Sequence, residues 1–105
     1  MSNPPKLSSV ERMAALARAS EYRRRRADFK AKVKRGECSW VAALESDDEA
    51  LRRMRLRDLI SALPGFGEVR ASAVLDRAGI SASRRVQGLG NIQRQTLEEI
   101  LRGRI

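Results

Sequence analysis

The residues with chemical potential in this chain are glycines and arginines. Gly65-Phe66-Gly67 lies between two apolar segments. Glycine tolerates positive φ and carries no Cβ, so such a turn lets the backbone approach an anion closely. A helix that starts just after it presents unsatisfied N–H groups and the positive end of its dipole. That arrangement can hold one backbone phosphate of a nucleic acid and reads no bases. The plainer alternative is a tight turn and nothing more. Two arginine groups stand beside it in interest: Arg23-Arg24-Arg25-Arg26, and Arg84-Arg85 next to Gly88-Leu89-Gly90. The chain has no histidine, which removes His-based triads and His-ligated zinc or haem. Its one cysteine, Cys38, has no companion for an internal disulfide, which suits a reducing cytoplasm. Asp58 and Glu68 are isolated carboxylates. No catalytic residue, metal site or cofactor is expected, and the chain reads as a binding protein rather than an enzyme.

Charge supports an anionic partner. The 105 residues carry a formal net charge of +9, and only 4% are aromatic. The charge is segregated: +8 over residues 1–35, −5 over 36–50, and +6 over 51–105. A strongly basic small domain favours a polyanion. The acidic block of Glu37, Glu45, Asp47, Asp48 and Glu49 either faces away from that ligand or contacts the basic helix, and the sequence leaves both open. No apolar run is long enough for a membrane span, and Met1-Ser2-Asn3-Pro4-Pro5 lacks the apolar core of a signal peptide.

The elements that must position these residues are all helical, because no stretch alternates with the period of a strand. Residues 1–7 read as irregular. Ser8-Ser9-Val10-Glu11 has the pattern of a capping box, opening a long basic helix that Gly36 stops. Its apolar content is thin: Val10, Met13, Ala14 and Ala17, then Phe29 and Val33. Trp40, Val41 and Leu44 predict a short helix capped by Ser39, with Trp40 as a core anchor. A third helix is expected from Asp47-Asp48 through Met54 toward Arg55. Leu56, Leu59, Ile60 and Leu63 define an amphipathic helix ended by Pro64-Gly65. The next, Gly67 to Ala78, is expected to bury Val69, Ala73, Val74 and the stem of Arg77. A short helical turn over Ala82–Arg85 and a last helix over about Asn91–Leu101, burying Ile92, Leu97, Ile100 and Leu101, complete the chain.

Leu63-Pro64-Gly65-Phe66-Gly67-Glu68-Val69-Arg70-Ala71 resembles the helix–hairpin–helix pattern. The second ordered turn, Gly79-Ile80-Ser81-Ala82-Ser83-Arg84-Arg85-Val86-Gln87-Gly88-Leu89-Gly90, extends the likeness to the helix–two-turn–helix domain of ribosomal and DNA-glycosylase proteins. With Arg53-Met54-Arg55-Leu56 and the long basic helix, the chain resembles the actinobacterial integration host factor family over roughly residues 5–102. The resemblance implies an all-α, nucleoid-associated protein with a lid helix over 8–36 and a helix–two-turn–helix module over 37–105. It implies duplex DNA bound through phosphates with little sequence preference, bent or compacted, and help to phage integrase indirectly through shaped DNA. A monomer in the cytoplasm, on the nucleoid and not on a membrane, is expected.

The candidate DNA-binding set is Gly65, Phe66, Gly67, Val69 and Arg70 in the hairpin; Arg84, Arg85, Gln87, Gly88, Leu89 and Gly90 in the second turn; Arg53, Arg55 and Arg94; and Arg23, Arg24, Arg25 and Arg26 on the lid. The family usually has a basic residue where Glu68 stands and often Arg where Gln87 stands. An RNA-binding or ribosome-associated protein built on the same module is the alternative reading. The C-terminal pair Arg102 and Arg104 is expected to lie apart from the site.

Overall fold

The computed structural model describes residues 8–104; the irregular segment expected over residues 1–7 lies outside them. Among the described residues six α-helices follow one another: α1 Ser9–Lys34, α2 Val41–Leu44, α3 Glu49–Arg52, α4 Leu56–Ser61, α5 Glu68–Arg77 and α6 Asn91–Ile100, with a 3₁₀ turn at Val86–Gly88. The fold class is all-α, and no strand forms among the described residues.

Helix α1 starts where its sequence says it should, with Ser8 Oγ accepting from Glu11 N at 3.1 Å. It ends in a Schellman motif. Gly36 takes φ +74, Gly36 N donates to Val33 O, and Glu37 N donates to Lys32 O. At about 1.5 Å per residue its 26 residues run for about 39 Å. Only Val33 of this helix is buried, with Phe29 packed partly against the core. The first half therefore projects. The radius of gyration is 16.4 Å and the longest extent 57 Å, against a radius of about 13 Å for a compact domain of this length.

The core gathers Val33, Trp40, Met54, Leu56, Leu59, Ile60, Leu63, Leu75, Ile80, Val86, Leu97 and Leu101. Trp40 is the anchor expected of it. Ser39 Oγ accepts from Val41 N at 3.2 Å and starts α2.

Three expectations are corrected. The third helix does not run to Arg55. It stops at Arg52, and Arg55 is extended at φ −72, ψ 140. The reason is tertiary: Val86 N donates to Met54 O and Leu56 N to Arg84 O, both at 2.9 Å. Those bonds pull Arg53–Arg55 out of helix and into an isolated antiparallel bridge, Arg55 with Arg85. The helical turn expected at Ala82–Arg85 is displaced for the same reason. Ser81–Arg84 closes as a turn, with Arg84 N donating to Ser81 O, and the 3₁₀ turn starts only at Val86.

The apolar faces of α5 and α6 are also shifted. Ala71, Val74 and Leu75 face inward on α5, while Ala73 and Arg77 are exposed and Val69 is 84% exposed. On α6, Leu97 and the following Leu101 are buried, Ile100 packs partly against the core, and Ile92 is 78% exposed. In each helix the inward residues keep i, i+3, i+4 spacing, and Val69 and Ile92 fall off that stripe.

Candidate nucleic-acid interface

The antiparallel bridge builds the first basic surface. It sets Arg53-Met54-Arg55 beside Arg85, segments thirty residues apart. Helix α1 runs past the same place, so Tyr22, Arg23 and Arg26 face Arg53, Arg55 and Arg85 across a groove of about 410 Å³. Arg85 Nη1 donates to Arg53 O at 2.6 Å, and Arg84 Nη1 donates to Gly88 O at 2.8 Å. Both guanidiniums are thus aimed by backbone carbonyls, which leaves their positive charge unneutralised. Arg23, Arg26 and Arg55 have no ion-pair partner among the described residues. Among the described residues, Asp58 is the only carboxylate lining the groove. Arg53 is paired with Glu49 at 2.8 Å and lies 6.0 Å from the Tyr22 ring.

Arg24 and Arg25 belong to a different face of α1. Arg24 meets Glu21 at 2.7 Å; Arg25 meets Glu21 at 3.2 Å and Asp48 at 3.2 Å. The bond from Arg24, then that from Arg25, holds the Glu21 carboxyl below its ordinary range, while Glu21 and Asp48 raise Arg25. The question about the acidic block is answered here. Asp48 contacts the basic helix, and Glu49 and Glu45 reach Arg53 and Arg94.

The hairpin forms the second surface, beyond the far end of α4. Phe66 N donates to Leu63 O at 2.9 Å, with Pro64 next and Gly65 at φ +78. This is the pattern of a type II turn, which requires glycine at its third position. Gly67 is different. Its φ of −140 is open to any residue, and a Cβ there would meet nothing within 4 Å. As the N-cap of α5 it provides no side-chain acceptor, so the first-turn N–H groups face outward. The Arg70 guanidinium lies over the Phe66 ring at 4.5 Å and donates to Gly65 O at 2.9 Å.

Comparisons with known proteins agree on one lineage. The S13-like H2TH domain family matches residues 31–101. The integration host factor of Streptomyces coelicolor is 38% identical over 96 residues, 90% of each chain. That of Mycobacterium tuberculosis is 38% identical over 97 residues, 90% of this chain and 92% of the relative. The solved structure of sIHF bound to an 8-bp palindromic DNA superposes with a TM-score of 0.77 at 36% identity, covering 80% of this chain and 97% of that one. The chain belongs to the integration host factor family.

Within this member of the family, the residues singled out by sequence do not all meet. Arg23, Arg26, Arg53, Arg55 and Arg85 share the groove. Gly65, Phe66, Gly67 and Arg70 share the hairpin. Gln87, Leu89 and Arg94 line a separate recess with Arg52 and Asn91, and Arg94 is engaged by Glu98 at 3.1 Å and Glu45 at 3.5 Å. Gly88 and Gly90 flank Leu89, with Gly88 O held by Arg84. The Val69 side chain lines a recess with Glu68 and Asp76, apart from Arg70. Glu68 itself sits in the first turn of α5, where a carboxylate stabilises the helix dipole.

Sequence reasoning missed two cations. Arg104 lies 5.7 Å from the Phe66 ring that Arg70 also covers, and Arg77 lines the same recess. The expectation that Arg104 lies apart from the site is thereby corrected. Arginines spaced along the outward positions of α5 and just past α6 were the available signal, but only the meeting of the two helices at Phe66 makes it readable.

Proposed function

We propose that this chain binds duplex DNA through its backbone phosphates, with little sequence preference. The observation that carries this reading is the groove in which arginines from three separate segments converge with one opposing carboxylate. Arginine forks suit phosphate, and the lack of exposed aromatic readers argues against base recognition. The hairpin adds open N–H groups at the start of α5. Groove and hairpin flank α4, whose six residues span about 9 Å, which places both within reach of one duplex. Two such contacts on one duplex would bend or stiffen it, which supports a nucleoid-associated, architectural role without catalysis. The relatives' name, integration host factor, supports assistance to integration, which for phage would act indirectly, through shaped DNA. Helix α1 acts as a lid over residues 8–36, and residues 37–105 supply the module. A single chain is the binding unit.

The test is a salt titration with random-sequence duplex DNA and with duplex RNA of equal length. The log of DNA affinity should fall linearly with log salt, by about 0.9 for each phosphate neutralised. DNA affinity that stays flat with salt would overturn the phosphate reading. Tighter binding to duplex RNA would favour the ribosome-associated alternative.

A further inference from the structure

Helix α1 is fastened to the body of the molecule at few places. Val33 is buried and Phe29 packs partly against the core, both near the C-terminal end of the helix. Closer to its middle, Tyr22 lies beside Arg53. Among the described residues one ion pair joins α1 to the rest of the chain, Arg25 Nη1 with Asp48 Oδ1 at 3.2 Å. The arginine groove depends on this fastening, because Arg23 and Arg26 of α1 form one wall and Arg53, Arg55 and Arg85 the other.

The pitch of the helix gives the ion pair its leverage. At 3.6 residues per turn, Tyr22, Phe29 and Val33 fall within about 40° of one another around the axis. They mark the line of α1 that faces the body. Arg25 falls on one flank of that line, and Arg23 and Arg26 fall on the other. A tie on the first flank opposes rolling of the helix about its own axis, and so fixes where the second flank points.

Asp48 is a firm anchor for such a tie. Its Oδ1 also accepts from Ala50 N at 2.9 Å, as the N-cap of α3, and its backbone N donates to Ser46 Oγ at 3.0 Å. Arg25 is aimed from its own helix, where its Nε donates to Glu21 Oε1 at 3.2 Å. Helix α3 leads directly into Arg53-Met54-Arg55, so the residue that holds one wall also starts the element that ends in the other. The adjacent Asp47 is exposed and has no ion-pair partner among the described residues.

We infer that Asp48 is a positioning residue for DNA binding: through Arg25 it sets the roll of α1, and with it the facing of the two groove walls, without touching the nucleic acid. The inference rests on the DNA-binding reading of the groove. It reverses the effect expected of charge alone. In a chain of net charge +9 that holds a polyanion, removing a carboxylate should tighten binding. Removing this one should weaken it.

The experiment compares Asp48→Asn with Asp47→Asn, which change the net charge equally. Asparagine caps a helix about as well as aspartate, so α3 keeps its start. Asp48→Asn should lower duplex affinity about two- to fivefold, the range a part-exposed ion pair supplies, with little change in melting temperature. Asp47→Asn should raise affinity slightly. In an Arg25→Gln background the tie is already gone, and Asp48→Asn should then raise affinity as Asp47→Asn does. A gain from Asp48→Asn in the otherwise unmodified chain would overturn the inference. So would an equal loss in both backgrounds, because Asp48 would then act other than through Arg25. A second measurement needs no DNA. Spin labels on Arg18→Cys and Glu99→Cys, in a Cys38→Ser background, report the distance between α1 and α6. Asp48→Asn should broaden that distribution, and an unchanged distribution would again overturn the inference. If it broadens while the unmodified chain binds duplex weakly and without salt dependence, the DNA-binding reading has failed and the tie has not.

Discussion

The arginine groove and the glycine hairpin offer a phosphate opposite things. In the groove the backbone is already satisfied. Met54 O, Leu56 N, Arg84 O and Val86 N bond one another, and what faces outward is side-chain charge from three segments. At the hairpin turn itself Gly65 and Gly67 carry no side chain and backbone N–H faces outward, with the Arg70 guanidinium held beside it over Phe66. A surface of the first kind should respond to charge and be indifferent to small changes of shape. One of the second kind should respond to shape, above all to any atom added at Gly67.

Reversing charge in the groove is the largest expected effect. Arg55→Glu with Arg85→Glu should lower duplex affinity by at least about 100-fold, since each charged hydrogen bond is worth about 1.5–3 kcal/mol. The slope of log affinity on log salt should lose about 1.8. Arg102→Glu with Lys34→Glu, the same charge change at exposed sites away from both surfaces, should cost far less. Equal losses, measured by fluorescence anisotropy at one salt concentration, would reduce the groove to bulk charge.

The hairpin glycines should separate folding from binding. Gly67→Glu meets no strain and should melt with the unmodified chain while binding about tenfold more weakly, roughly the worth of one charge-assisted phosphate contact. Gly65→Ala should do the reverse, because a Cβ at φ +78 costs about 1–2 kcal/mol. Its melting temperature should fall, with little change in affinity once folded. If Gly67→Glu binds normally, the hairpin is a turn and not a contact.

Arg104 should give a smaller effect. Arg104→Ala removes one guanidinium beside Phe66, and a single exposed charge contact to a phosphate is worth up to about 1 kcal/mol. A two- to fourfold loss of duplex affinity is expected at the hairpin, with the groove's salt response otherwise intact. A loss as large as that of the groove pair would mean that the recess with Arg70 and Arg77 is the main site.

The smallest effect concerns the ion pairs along α1. Glu21 is held below its ordinary carboxylate range by Arg24 and Arg25. A depressed folded value adds stability that is complete above the unfolded value and is lost as the pH falls through the folded one. Glu21→Gln should therefore lower the melting temperature slightly at neutral pH, and the difference should vanish in acid, below the usual value near 4.5. A difference that grows in acid would contradict the assigned ion pairs.

The hairpin was legible in the sequence and the groove was not. Leu63-Pro64-Gly65-Phe66 spells its turn within four residues, and Leu56, Leu59, Ile60 and Leu63 announce α4 by spacing alone. Arg84-Arg85 was visible as a basic pair, yet nothing periodic says that it lies beside Arg55. That meeting depends on two backbone hydrogen bonds between segments thirty residues apart, which also cut short the helix expected to reach Arg55. On α1 the sequence showed a thin row at Val10 and Met13. The structure turns that row to solvent and uses Tyr22, Phe29 and Val33 on the opposite side. Val69 and Ile92 were misplaced because an apolar residue in the first turn of a helix can satisfy a local pattern without reaching the core.

The bridge between Arg55 and Arg85 has a bearing on how such a protein can change over generations. Its two ties run from main chain to main chain, through atoms that every residue except proline supplies. The side chain at position 55 takes no part in them. Substitutions there can raise or lower the positive potential of the groove while the two segments stay in register. Geometry and charge are thus inherited separately at this point, and a lineage can retune its grip on DNA without rebuilding the scaffold that carries it.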